Sequence, residues 1–315
     1  MRGTPVSATR SAQHTVAPSS AQPINAHPDA AAGASADPAG LPRRLSPDAE
    51  SGGGQLALFL TQVRCELVSN LRVPEFLIGV VAIPVMLFAM FGPPNARWSL
   101  PDGTLVSAMM MPGFGAFGLL SLVIFAFGVD IANERGKGWL RLMRATPAPG
   151  WAYFGGKLVT SVVFAAMMLL TLFVVAALIA QVRLPFERWL AILGVLLLGG
   201  MSLAPLGFTL GFLARPRAAS TIGNLVFLPL SFASGFFFPL NQLPEFLRTL
   251  APYLPTYHYG QLVWRVTAST ESVEAYTGIA LGPVWVNLAW LVGTFVVFGL
   301  LAVWGYRRQR SREQA

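Results

Sequence analysis

Side chains able to do chemistry are few in this chain and widely scattered. Three histidines occur; His14 and His27 stand near the start, too few and too remote for a metal site. The lone cysteine, Cys65, has no internal disulfide partner and leaves the redox compartment open. A serine nucleophile needs an adjacent base and oxyanion donors, and only Ser231 and Ser234 in "SFASGF", with His258 further on, offer those residue types. "RGKG" and "GGKL" begin like phosphate-binding loops. The motif requires a Ser or Thr hydroxyl after the lysine to meet magnesium, and Gly138 and Leu158 stand there instead. No catalytic constellation, cofactor or metal is therefore expected in this chain. What remains is the stretch "ERGKGWLRLMRATPAPGWAYFGGK", Glu134 to Lys157, with five positive charges and one carboxylate.

The elements around that stretch are read from composition. Hydrophobic residues make up 54% of the chain, charged residues 11%, and the mean hydropathy is +0.58. Soluble domains devote about a quarter of their residues to charge. Runs such as "FLIGVVAIPVMLFAMFG" and "NLAWLVGTFVVFGLLAVWGY" are long enough to cross a hydrocarbon core of about 30 Å as helices. The fold class is an all-α polytopic membrane protein. The net charge of +8 sits beside apolar runs instead of along a soluble face, which argues for membrane topology and against a nucleic-acid partner.

Residues 1–54 form a tail of Ala, Ser, Pro and Gly, expected to be disordered and cytoplasmic because it cannot bury enough surface to offset its ordering entropy. It has no apolar core before Leu56 and does not read as a signal peptide. Its Arg, Ala and Ser content suggests a transit peptide, which its prolines oppose, and a start placed too far upstream is a further reading. "SGGGQ" (Ser51–Gln55) is similar to the signature of ABC ATPases, but without a nucleotide-binding domain around it reads as a linker.

The transmembrane domain is expected over 55–310, with 311–315 as a cytoplasmic end. In "QLALFLTQVRCELVSNLR" the residues Leu56, Phe59, Leu60, Val63, Leu67 and Leu71 share one arc at helical period, opposite Gln62, Glu66, Ser69 and Arg72. This predicts an amphipathic interfacial helix at 55–72. Six spans are predicted at 74–92, 106–130, 157–180, 189–213, 221–240 and 284–306, with Pro74 in the first turn of the first. With the N-terminus inside, seventeen basic residues fall on the inner side and five on the outer, so both termini and the basic stretch are expected in the cytoplasm.

The spans themselves are nearly free of charge; Asp130 lies at the end of the second, and Asn224 and Asn287 are only polar. Proton- or ion-driven transporters place ionisable groups at the midplane, so energy is expected from elsewhere. On a helical wheel Lys137, Arg141 and Arg144 share one face, and Trp139, Leu142 and Met143 the other, before "TPAPG" (Thr146–Gly150) ends the helix. Such a helix either lies on anionic lipid or docks into a groove on a partner.

"NERGKGWLRLMRATPAPGWAYFGGK" and "NLVFLPLSFASGFFFPLNQLPEFLRTLAPYLPTYHYGQLVWR" (Asn224–Arg265) together resemble the ABC-2 type permease family. That family shows a Glu-Arg/Lys start, a leucine-rich helix, a Thr-Pro turn and a Gly-Lys close, then a span ending in Ser-Gly-x-x-Phe-Pro followed by Pro-Thr-Tyr and Arg. The resemblance covers about residues 55 to 310. It implies an ABC-2 (type V) exporter fold whose loop is a coupling helix seated on a cytoplasmic ABC ATPase subunit. Glu134 and Arg135 would start the motif, Trp139 and Leu142 would fill the ATPase groove, and Lys137, Arg141 and Arg144 would present its charge. It also implies that the second and fifth spans line a path at a dimer interface, raising Phe114, Phe117, Phe227 and Phe232. Re-entrant helices would cap the outer end, making Pro239, Tyr257 and His258 candidates for an outer gate.

Read from the residues alone, Tyr253, Tyr257, His258, Tyr259 and Trp264 make an interfacial aromatic belt. Gly207 and Gly211, with Gly200 and Ala204 one step earlier, permit close helix approach, within a subunit or between two. "MMMPGFGAFG" (Met109–Gly118) offers pliable side chains that suit varied ligands or fill a core. The expected function is the permease subunit of an ATP-driven exporter in a bacterial inner membrane, paired with a second permease copy, identical or homologous, and moving a small amphiphilic or drug-like molecule. A lipid-linked glycan is the alternative cargo, and a secondary transporter the alternative mechanism. An intramembrane serine protease of the rhomboid type would need Gly-x-Ser-Gly and Ala-His motifs on two separate spans, and the spans of this chain do not reproduce them.

Overall fold

The computed structural model describes residues 52–72, 78–138 and 150–314. Residues 1–51, Pro74, and the loop residues Trp139, Arg141, Leu142 and Arg144 with most of the "TPAPG" turn lie outside that description. Helix α1 (Gly52–Leu71) begins within the "SGGGQ" run. Among the described residues strand pairing is limited to one isolated bridge, Ser99 to Leu105.

Among the described residues five helices are long and apolar enough to cross a membrane: α2 (Ile78–Arg97), α3 (Val106–Gly136), α4 (Gly150–Leu178), α5 (Phe186–Leu213) and α10 (Val284–Gln314). They occupy five of the six places read from hydropathy. At the sixth place α6 spans only Ala219–Ala233, 15 residues, or about 22 Å at 1.5 Å per residue. Its stop is local. Gly235 adopts φ +79°, its N–H reaches the Phe232 carbonyl, and the Phe236 N–H reaches the Ser231 carbonyl. That pair of bonds is a Schellman cap, which favours glycine at the left-handed position.

The central helix is α3: 83% of its most apolar stretch is buried, against 22% for α2 and for α10. Helix α5 lies across it at the small residues seen in the sequence. A Cβ on Gly211 would stand 3.0 Å from Ile131, and one on Gly207 would run into the Val123 carbonyl. The close approach is therefore made within one chain. It falls where α3 widens into a π-helical stretch, Leu122–Val129. Helix α5 itself breaks at Leu203, before Pro205.

The segment after Pro239 folds as α7 (Glu245–Leu250), α8 (Pro255–Thr267) and α9 (Thr270–Thr277). Helix α8 packs against α3, α5 and α10. The aromatic belt expected there is not formed. Tyr259 and Trp264 are fully buried, His258 and Tyr257 nearly so, and only Tyr253 is exposed. The buried polar tips find partners: Tyr259 Oη donates to the Leu196 carbonyl (2.8 Å) and Trp264 Nε1 to the Met109 carbonyl (3.2 Å). These bonds tie α8 to α5 and α3, so the rings serve the core.

Candidate functional site: an ion cluster at the root of the basic loop

Helix α4 starts at Gly150, well before Lys157, so the lysine read as a loop charge sits inside a helix and is 3% exposed. The aromatic "WAYF" run belongs to its first turns. Gly155 and Gly156 are not a loop signal either: a Cβ on the first would stand 3.0 Å from Phe59, and on the second 2.9 Å from Gln62. The glycine pair is a saddle on which α1 rests. This turns Glu66, expected on the polar outward side of α1, toward the protein.

Three carboxylates meet the Lys157 ammonium: Glu66 at 2.8 Å, Glu134 at 2.9 Å and Asp130 at 3.0 Å. Asp130 and Glu134 reach it together because i and i+4 share one face of α3. The Tyr153 hydroxyl donates to Glu134, and its ring lies 5.5 Å from Lys157 Nζ. An ammonium out of water needs such compensation, since an unpaired buried charge costs several kcal/mol. Glu66, Asp130 and Glu134 are close enough together to hold a metal ion, but the lysine nitrogen stands among them. The cluster joins α1, α3 and α4 at one point. Sequence reasoning missed it; the available signals were the i, i+4 carboxylates and a lysine ahead of an otherwise uncharged helix.

Arg135 turns another way. Its guanidinium donates to the carbonyls of Phe212 and Ala214, and to Gln309 Oε1 at 3.5 Å. The carbonyls at the end of α5 lack intrahelical partners, so Arg135 caps that end. Glu134 and Arg135 thus both face inward, and Lys137 is exposed. The wheel that grouped Lys137 with Arg141 and Arg144 runs past the end of α3, and Arg141 and Arg144 lie outside the described residues. Helix α3 ends at Gly136, and Gly138 at φ +78° reverses the backbone before Trp139. A helix cannot pass through that conformation.

The four candidate path residues share one chain of ring contacts. Phe237 links Phe114 (5.7 Å), Phe117 (4.7 Å) and Phe232 (4.7 Å), and Phe227 lies 4.8 Å from Phe117. Phe114, Phe117 and Phe227 are buried within the chain, whereas Phe232 is exposed. At the candidate gate, Pro239 follows the exposed Phe238 and Tyr257 packs with Leu240 and Ala251. His258 stacks on Trp290 (5.0 Å), with Nε2 2.9 Å from the Pro252 carbonyl and Nδ1 2.7 Å from Asn287 Oδ1. A carbonyl can only accept, so Nε2 carries a proton. The hydroxyls of Ser231 and Ser234 donate to the Phe227 carbonyl and to Thr256 Oγ1. No Ser–His hydrogen bond forms among these described residues.

Comparison with known proteins places these features. Residues 81–304 match the family described as ABC-2 family transporter protein. The chain is 23% identical over 247 residues to the "Putative transport permease YvfS" of Bacillus subtilis (strain 168), covering 78% of this chain and 96% of that protein. It is 25% identical over 154 residues to the "Probable multidrug ABC transporter permease YbhR" of Escherichia coli (strain K12), covering 48% of this chain and 41% of that one. With a family match across most of its length, this multi-helix chain belongs to the ABC-2 family of transporter proteins.

Proposed function

We propose that this chain is the membrane subunit of an ATP-driven exporter that moves a small amphiphilic or drug-like molecule outward, energised by a separate cytoplasmic ABC ATPase. The observation that carries the reading is how the basic loop is rooted. Its first residues are held by two anchors, Glu134 to Lys157 and Arg135 to the end of α5, while Glu66 brings α1 to the same lysine. A partner pushing on Trp139, Arg141, Leu142 and Arg144 would move α3, α4, α5 and α1 together. The name of the Escherichia coli relative, a multidrug permease, supports the choice of cargo, as do the apolar walls, over a lipid-linked glycan. On this reading two copies, or one with a homologous partner, form the path between exposed faces that include Phe232. Basic residues on the loop side put both termini in the cytoplasm of a bacterial inner membrane, and α6 with the outer helices completes a six-span bundle with re-entrant segments.

A secondary transporter is the second reading, favoured by the partly buried carboxylates around Lys157. Those carboxylates lie at one end of the spans and are filled by a lysine, where a proton relay would leave them open. Transport of an amphiphilic dye in vesicles holding both subunits decides between the two. The exporter reading requires ATP dependence, loss with an ATPase lacking its phosphate-binding lysine, and indifference to an uncoupler. Uncoupler sensitivity with ATPase loss tolerated would overturn it. Charge reversal at Arg141 and Arg144 together is expected to abolish both ATPase pull-down and transport; retention of both removes the coupling role.

A further inference from the structure

A polar pocket of about 670 Å³ opens where the ends of α3, α5 and α10 meet. Arg135, Lys137, Arg215, Arg308 and Gln309 line it, and no carboxylate does among the described residues. The Arg135 charge is fixed on the wall by the Phe212 and Ala214 carbonyls. Glu134, its neighbour, is turned away to Lys157. Arg308 lies over the Trp304 ring, 5.2 Å from its centre, while Lys137 and Arg215 are exposed. Four cations in one polar cavity make an anion receptor, and arginine forks suit phosphate oxygens.

Leu213 and Ala214, at the rim, also line a second cavity of about 700 Å³. This groove runs between α5, α6 and α10, past Leu210, Val226 and Leu230, to Leu250 and Leu254 at the far end. Its lining is almost wholly apolar, and the Thr209 hydroxyl is spent on the Phe298 carbonyl at 2.7 Å. A basic mouth alone would also suit an acidic protein surface. An apolar groove alone would also suit another helix. A mouth for an anion opening onto an apolar groove that follows α6 from Ile222 to Ala233 suits one molecule with both parts.

We propose that the two cavities bind one anionic phospholipid. The phosphate sits among Lys137, Arg215 and Arg308, beside the fixed charge of Arg135, and an acyl chain fills the groove. Basic pockets between membrane helices recognise lipid headgroups in this way. The lipid would brace the start of the basic loop against α5 and α10.

The test uses the full chain reconstituted in phosphatidylcholine vesicles with a trace of phosphatidylglycerol carrying a photoreactive acyl chain. Labelling is expected on α5, α6 and α10, at or beside Leu210, Val226 and Leu230. Unlabelled phosphatidylglycerol should compete, and inorganic phosphate at millimolar concentration should not. Arg215→Gln and Arg308→Gln should each weaken labelling about fivefold, while Arg215→Lys and Arg308→Lys, which keep the charge, should retain most of it. Val226→Trp should block labelling with the basic mouth intact. Equal labelling by photoreactive phosphatidylcholine, effective competition by phosphate, or labelling unchanged in the Gln variants would each overturn the proposal. So would loss of ATPase pull-down in those variants with lipid labelling intact, which would reassign the basic mouth to the protein partner.

Discussion

Lys157 faces three carboxylates that differ in exposure: the Glu66 side chain is 15% exposed, Glu134 23% and Asp130 46%. The effects of substitution should follow that order of burial. Lys157→Met removes the cation and leaves anions facing one another with no counter-charge, which costs about 3–5 kcal/mol for a buried pair. Asp130 is half in solvent, and Asp130→Asn should cost under about 1 kcal/mol. Thermal unfolding of the purified chain in detergent measures both. The triple variant Lys157→Met, Glu66→Gln, Glu134→Gln should recover part of the loss, because it removes charge from both sides. A Lys157→Met chain as stable as the parent would show that the cluster does not hold α1, α3 and α4 together. This cluster was poorly legible in the sequence for a physical reason: positive charges near a span end look alike whether they face water or a carboxylate brought from another helix.

At the scale of elements, five of the six apolar runs coincide with helices long and apolar enough to cross a membrane, because burial in hydrocarbon needs long apolar runs whatever their partners. Hydropathy overestimated α6, since "SFASGFFFPL" stays apolar through the Schellman cap at Gly235 and carries no drop in hydropathy where the helix stops. The G-x-x-x-G of α5 was legible as a close contact, but its partner was not, because small residues announce proximity without saying to what. The structure names α3, and this yields a prediction. Gly207→Ala forces its Cβ into the Val123 backbone, which cannot give as a side chain would. Overpacking of this kind costs about 1–3 kcal/mol, and the backbone contact places it at the upper end. Gly293→Ala, on α10 with nothing within 4 Å, should be neutral or slightly stabilising, since alanine is the better helix former by about 1 kcal/mol. Matched unfolding measurements that find the two variants equal would mean that α5 does not rest on α3 at Gly207.

Across the whole molecule, the two ends of the bundle are tied differently. The basic end is tied by ions, whereas the far end uses a clasp between the loop before α3 and the start of α9. Asp102 accepts from the Ser269 N–H (2.8 Å) and the Thr104 N–H (2.9 Å), and its own N–H donates to Ser272 Oγ (3.1 Å). Partial desolvation works to raise the Asp102 carboxyl, but the donors from Ser269, Thr104 and Ser272 outweigh it and hold the group well below the ordinary carboxylate range. A folded-state value below the unfolded one of about 3.9 makes the clasp's contribution full above that pH. The contribution is lost as pH falls below about 4 toward the folded-state value. The difference in hydrogen-exchange protection at residues 99–105 and 269–277 between the parent and Asp102→Asn should therefore be constant from pH 5 to 8 and shrink below pH 4. Shrinkage near pH 6, or no change down to pH 3, would reject Asp102 as the titrating group. The same profile at the basic end gives the contrast, because the Lys157 cluster remains intact in Asp102→Asn and its protection should match the parent's at every pH.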